Sequence, residues 1–219
     1  MAIGYNPLII TDGLVMYIDA ANTRSYSGSG LTANGLGSAI GGTLVNGVTF
    51  TSSNGGSFVF DGTNDYINFG NNAALYQSSG TISAWVKASS PGSGFRGIIA
   101  RQGAYGLFYF DSVLVTYDWG GNFTRSTGIN IADNTWKNVA MTYQSGVTNG
   151  TKIYLNGVSV LTTTITISNF PTDYLYGGAE ANASQFAACS ASSFNMYSRV
   201  LTAQEIIQNY TSTKKRYGL

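Results

Sequence analysis

Apolar and polar residues alternate at every second position through most of this chain, and turn residues cut the alternation into short segments. The pattern is clearest over residues 136–160. There Val139, Met141 and Tyr143 alternate with Asn138, Ala140 and Thr142, and Ile153 and Leu155 then alternate with Lys152 and Tyr154. Asn156-Gly157 follows as a two-residue turn, because a type I′ hairpin needs positive φ at both central positions and this pair tolerates it best. The strand signal resumes at Val158 and Val160. Period-two alternation with turns this close together predicts antiparallel sheet with one buried face.

The same reading predicts strands over 14–20, 43–50, 57–60, 66–69, 81–87, 98–101, 105–110, 113–119, 123–131, 163–167, 175–177 and 187–197. A Gly/Ser/Asn-rich loop of about twenty residues covers 22–42, long enough to suggest a functional or interface role. One helix is predicted over 203–210, with Thr202 as N-cap and Glu205 at the capping-box spacing. About a dozen strands and one helical turn need a closed or double-layered architecture, which leaves sandwich and barrel both open. No internal repeat and no linker divides the chain. It reads as an N-terminal arm (1–11), one domain (12–210) and a basic C-terminal tail (211–219).

Composition sharpens this picture. Only 10% of the 219 residues are charged, against 28 Gly, 15 Tyr and 11 Phe, as suits an all-β chain. The net charge of +1 gives no electrostatic case for nucleic acid or an anionic membrane. The longest apolar runs are strand-sized, so no membrane insertion is expected. The first residues lack the basic region and apolar core of a signal peptide. The single cysteine, Cys189, excludes an internal disulfide and a cysteine-based zinc site.

Six segments in order, GLVMYIDAAN, SFVFDGTNDYINFG, TISAWVK, WKNVAMTY, KIYLNGVSV and SRVLTAQEI, resemble the laminin-G-like branch of the concanavalin A-like lectin/glucanase domains. The resemblance covers about 13–210. It implies a jelly-roll sandwich of two antiparallel sheets with one short C-terminal helix. The ending LTAQEIIQNY (201–210) is similar to that of free-standing versions in tailed-phage virion proteins. That likeness implies a non-enzymatic capsid decoration or appendage, assembled in the host cytoplasm and located on the virion. Its partners would be the major capsid protein or another virion protein, with homo-oligomerisation compatible.

Candidate chemistry is sparse. With no histidine, Ser-His-Asp and Cys-His nucleophiles and histidine-ligated metals are unavailable. Glycoside hydrolysis needs two carboxylates roughly 5–9.5 Å apart, and the E-x-D-x-x-E strand motif of the glucanase branch is absent. The only glutamates are Glu180, in a Gly/Ala/Asn loop, and Glu205, in the helix cap. Asp111 and Asp118 differ in strand parity and so fall on opposite faces. The resemblance implies no obligatory cofactor, although relatives hold calcium at loop rims. Asp61, Asn64 and Asp65 could ligate calcium, or could simply build their turn through Asx hydrogen bonds.

A sugar site needs an aromatic face beside hydrogen-bonding groups. Tyr117, Asp118, Trp119 and Asn122 offer one for a cell-surface polysaccharide, on the premise that Val113, Val115 and Tyr117 face the core and Trp119 emerges at the rim. Trp85 shares parity with Ser83 and Lys87 rather than with Ile82, Ala84 and Val86. It therefore either lines a groove or lies beneath a loop or the helix. For docking onto a partner protein, the candidates are Ile3, Leu8, Ile9 and Ile10 in the arm and Lys214, Lys215 and Arg216 in the tail.

Overall fold

The computed structural model describes residues 8–89, 93–168, 173–180 and 184–219. Its strands are β1 (Leu14–Asp19), β2 (Thr32–Ala33), β3 (Gly42–Val45), β4 (Thr49–Thr51), β5 (Ser57–Asp61), β6 (Tyr66–Asn68), β7 (Ser79–Ala88) and β8 (Phe95–Arg101). They continue as β9 (Tyr105–Phe110), β10 (Val113–Asp118), β11 (Phe123–Asn130), β12 (Lys137–Gln144), β13 (Thr151–Leu155), β14 (Val158–Thr163), β15 (Leu175–Gly177) and β16 (Ala188–Tyr197). Among the described residues one α-helix, α1 (Ala203–Thr213), follows. None of the described helices is long and apolar enough to cross a membrane.

The strands form two antiparallel sheets, the predicted sandwich. The first runs β14-β13-β12-β7-β16-β5-β4, with β1 also paired to β16; the second runs β11-β10-β9-β8-β15-β6-β3-β2. One edge of β16 is shared: Ala188, Cys189, Ser190 and Ala191 pair with β5, and Ser193 to Tyr197 pair with β1. Between the sheets lies the main core. Val139, Met141, Tyr143, Ile82, Ala84, Val86, Phe194 and Met196 from one sheet meet Leu107, Tyr109, Leu114, Ile99 and Leu175 from the other. The alternation over 136–160 therefore sorts as predicted, with Asn156 and Gly157 both at positive φ.

Residues 43–50 are not one strand. Asn46 sits at φ 63° and ends β3, and β4 begins at Thr49 in the opposite sheet. Asn46-Gly47 is itself a turn pair that overrides the apolar alternation around it. Residues 164–167 likewise fall outside β14, because they leave the ladder to fasten a turn described below.

Helix α1 starts where predicted. Thr202 Oγ1 accepts from the Glu205 N–H at 3.2 Å, and Glu205 Oε2 accepts from the Thr202 N–H at 2.8 Å. Arg199 forms a two-pronged ion pair with Glu205, at 2.6 and 2.9 Å. The helix runs three residues beyond the predicted end and lies on the outer face of the first sheet, where Ile206 packs with Leu201, Tyr197, Tyr154 and Ala140.

Three readings that the sequence left open are decided on this face. Trp85 is 2% exposed: its ring stacks on Tyr217 (3.9 Å between centroids) and Tyr210 (5.8 Å), and its Nε1 donates to Thr213 Oγ1 at 2.8 Å. No ring face is left for a sugar. The last nine residues do not form a free tail, since 214–217 make a 3-10 turn and Arg216 holds both oxygens of buried Asp19 at 2.8 and 2.9 Å. Lys214 lies over the Tyr210 ring, and Lys215 stays exposed. The arm is tied down as well. The Ile10 N–H donates to Asn209 Oδ1, the Ile10 carbonyl accepts from Tyr197 Oη, and the Leu8 carbonyl accepts from Gln208 Nε2. Ile9 is half-buried and the Leu8 side chain remains exposed; Ile3 lies outside the described residues.

Two outcomes follow. Trp85→Ala removes the ring that Tyr210, Tyr217 and Thr213 close over, and urea denaturation should show a loss of about 3 kcal/mol or more. The Arg199 guanidinium holds the Glu205 carboxyl at about 2, below its ordinary 4.5. A depressed carboxyl stabilises above its unfolded value and loses that contribution as pH falls through its folded value. The stability difference between wild type and Glu205→Gln should therefore be full at pH 6 and shrink between pH 4.5 and pH 2, as measured by denaturation at each pH.

Candidate functional site

The outer face of the second sheet is also apolar, and no described helix covers it. In β9, Tyr105, Leu107 and Tyr109 point into the main core, which leaves Phe108 and Phe110 on the other side. In β10, Leu114 takes the core position, so Val113, Val115, Tyr117 and Trp119 share the outer face with Phe95 and Ala100 of β8. This reverses the expected parity of β10. It also places Tyr117 and Trp119 on an open sheet face rather than at a core rim.

Four of these rings form a closed cycle of three edge contacts and one tilted contact. Phe95 meets Phe108 at 5.7 Å and 81°, and Phe108 meets Trp119 at 6.0 Å and 57°. Trp119 meets Tyr117 at 5.4 Å and 74°, and Tyr117 returns to Phe95 at 5.7 Å and 89°. Edge-to-face contacts of this kind add about 0.5–1.5 kcal/mol per pair beyond burial, so the rings hold one another in place before any ligand arrives.

Residues 178–180 and 184–187 close one side of the cycle. The Gly178 N–H donates to the Ile98 carbonyl at 3.0 Å, and the Gly97 N–H donates to the Gln185 carbonyl at 2.9 Å. Glu180 and Ser184 exchange backbone hydrogen bonds at 2.9 and 2.8 Å. Gly97 makes this approach possible, because a Cβ there would sit 2.3 Å from the Ala179 carbonyl. The result is a cavity of about 190 Å³ walled by Phe95, Phe108, Tyr117, Trp119, Glu180 and Gln185. Glu180 is 6% exposed, and no described residue hydrogen-bonds or ion-pairs with its carboxyl. Burial raises that carboxyl to about 7, with the neighbouring Asp173 charge adding to the rise. A larger hollow of about 560 Å³ lies at the other end of the sheet, but apart from Phe69 and Tyr174 its walls are small or amide residues.

The remaining candidates are placed as follows. Asp118 is 3% exposed and faces away from the cavity. Its carboxylate accepts from the Thr166 N–H at 2.8 Å, the Gly121 N–H at 3.0 Å and Arg125 Nη2 at 2.8 Å. Burial alone would raise this carboxyl, and those three donors outweigh it and hold it below its ordinary value. Asp118 is thus the clamp of the 118–123 turn rather than a sugar ligand. Asn122 sits at φ 57° and its Oδ1 accepts from Tyr117 Oη, so these two stay together at the exposed edge.

The carboxylates of the FDGTNDY turn bind its own backbone. Asp61 Oδ1 accepts from the Thr63 and Asn64 N–H groups, and Asp65 accepts from Gly47 and Asp61. The Asn64 carbonyl takes Asn46 Nδ2. This is the turn-building arrangement, and among the described residues no cluster of three or more His, Cys, Asp or Glu is present.

Phe95, Phe108, Glu180 and Gln185 were not singled out by pattern reading. The signal for the first two was present: YGLFYF (105–110) is apolar at both parities, so one face of β9 had to be covered or used. Glu180 carried no signal, because only the folded loop brings it over β8.

The comparisons with known proteins agree with this architecture. A family model described as the concanavalin A-like lectin/glucanases superfamily matches residues 61–207. No curated protein matches the chain in sequence. The binding domain of Paraclostridial Mosquitocidal Protein 1 is similar in structure, with a TM-score of 0.69 at 17% identity, over 90% of this chain and 52% of that one. Trypanosoma rangeli sialidase in complex with sialic acid aligns with a TM-score of 0.72 at 16% identity, over 99% of this chain and 35% of the sialidase. The receptor binding domain of botulinum neurotoxin C/D mosaic serotype gives 0.63 at 16% identity, over 90% and 51%. The chain therefore spans about half or less of each of these structures, and at such identities the likeness is one of fold.

The clamp at Gly97 predicts its own test. Gly97→Ala should push the 179–180 backbone off β8, lower stability by about 1–3 kcal/mol and speed amide exchange at Glu180 and Ser184, as measured by hydrogen–deuterium exchange. By its sequence and by its two-sheet jelly roll, this chain belongs to the concanavalin A-like lectin/glucanases superfamily.

Proposed function

We propose that this protein is a non-enzymatic carbohydrate-binding module, with the ring cycle Phe95–Phe108–Trp119–Tyr117 as its platform. One observation carries the reading: the half-exposed rings of Phe95, Tyr117 and Trp119, held by mutual contacts around buried Phe108, border a cavity containing the Gln185 amide and a carboxyl that no described residue pairs with. Apolar C–H faces of a sugar stack on such rings, while a carboxyl and amide hydrogen-bond its hydroxyls. A non-catalytic role is supported by the carboxylates. Glu205 is held by Arg199 on the far sheet, and among the described residues Glu180 is the one carboxyl lining the cavity, where hydrolysis needs two.

Display on a virion surface is the setting we favour for this module, on the strength of the 201–210 ending. The partner in that setting would be a capsid or other virion protein, and the exposed Leu8 side chain beside α1 is an available contact.

Glycan-array binding of the purified protein tests the proposal. Wild type should bind at least one class of oligosaccharide, Trp119→Ala and Tyr117→Ala should lose tenfold or more in affinity, and Lys215→Ala should bind as wild type. Retention of full affinity by both ring variants would contradict the assignment of this face.

A further inference from the structure

Whether the cavity suits a neutral or a charged group can be read from its walls. Six described side chains line it: four aromatic rings, the Glu180 carboxyl and the Gln185 amide. No lysine or arginine is among them. The arginines of β8 belong elsewhere, since Arg96 stands opposite Tyr109 in the ladder and Arg101 stacks on Tyr76. Arg125 of β11 is committed to Asp118. The titratable groups facing Glu180 are Tyr117 from β10 and Asp173 at the entry to β15; β9 contributes only Phe108.

Ring faces carry negative potential, so several rings around a carboxyl attract a cation, and an ammonium with apolar substituents matches such walls best. A buried carboxyl without a partner is costly when ionised and is stabilised by a cation that enters beside it. Glu180 meets this description: it is 6% exposed, faces the cavity and takes no hydrogen bond from any described residue.

We infer that this cavity binds an ammonium group carried on the glycan ligand, as a free amino sugar or a choline substituent, held by the ring faces and paired with Glu180. The inference rests on the carbohydrate-binding reading above and adds the charge of the ligand to it. It also fixes the direction of pH dependence. Glu180 is largely protonated below about 7, so cation binding must release its proton, and affinity rises with pH. A neutral sugar accepting a hydrogen bond from the protonated carboxyl would show the opposite trend.

The test is calorimetric titration with choline, which keeps its charge at every pH, and with its uncharged isostere 3,3-dimethyl-1-butanol. Choline should bind at least tenfold more tightly than the isostere at pH 8, and its affinity should fall about tenfold on going to pH 6, one linked proton across Glu180's titration. Glu180→Gln keeps the cavity's shape, so it should remove the pH dependence and most of the preference for choline. Equal binding of the two probes, tighter choline binding at pH 6, or an unaltered Glu180→Gln variant would overturn the inference.

A parallel pair separates this failure from failure of the glycan reading, with wild type tested at pH 6.5 against a glucosamine trimer and an N-acetylglucosamine trimer. Preference for the free amine supports the inference. Binding of the acetylated trimer alone, competed by no choline, would leave a glycan site and overturn the ammonium assignment. Binding of choline but of neither trimer supports the cation cavity with choline, not an amino sugar, as its source.

Discussion

The dry seam between the two sheets is the constraint on which the rest of this molecule depends. It takes one face of most long strands and leaves the other face to be dealt with separately. Where that other face is polar, as in the exposed alternate positions of β11, water suffices. Where it is apolar, something must cover it or bind to it, and the two sheets take different courses.

On the first sheet the chain covers itself. Trp85 projects outward from the middle strands, and α1 and the C-terminal turn close over it through Tyr210, Thr213 and Tyr217. Arg216 reaches across to Asp19 and anchors that turn to β1, while Trp136 Nε1 donates to Asn54 Oδ1 alongside. A two-pronged Arg–Asp pair beside the buried stack fixes geometry as well as adding attraction. On the second sheet the analogous surface, Phe95, Phe108, Tyr117 and Trp119, is bordered by residues 178–180 and 184–187, with no described helix over it. The asymmetry between a sheet that is capped and a sheet that carries no helix is the physical basis for proposing that the first serves stability and the second recognition.

Much of this was legible in the residues. Period-two alternation gave the strands of the 136–160 hairpins with their buried face, and the Thr202/Glu205 spacing gave the start of α1 with its capping box. What local pattern could not give was which of two apolar parities faces the seam. Val113, Val115 and Tyr117 look as fit for the core as Leu114, and only pairing of β10 with β9 decides between them. Asp118 and Trp85 failed as sugar ligands for a related reason. Their partners, Thr166 and Tyr217, are 48 and 132 positions away in the chain, and no window of sequence joins them. Glu180 is the extreme case, because its importance comes from the backbone contact that Gly97 permits.

The most direct measurement follows the three tryptophans, two beside the C-terminal turn on the capped sheet and one on the other sheet. In a nitrogen-labelled sample each indole N–H gives its own resonance, and the protein can be titrated with the oligosaccharide that binds best on an array. The account predicts that the Trp119 signal shifts with saturation while those of Trp85 and Trp136, both beside Tyr217, stay in place. A saturable shift at Trp85 or Trp136 with Trp119 unmoved would place the ligand on the capped sheet and contradict it.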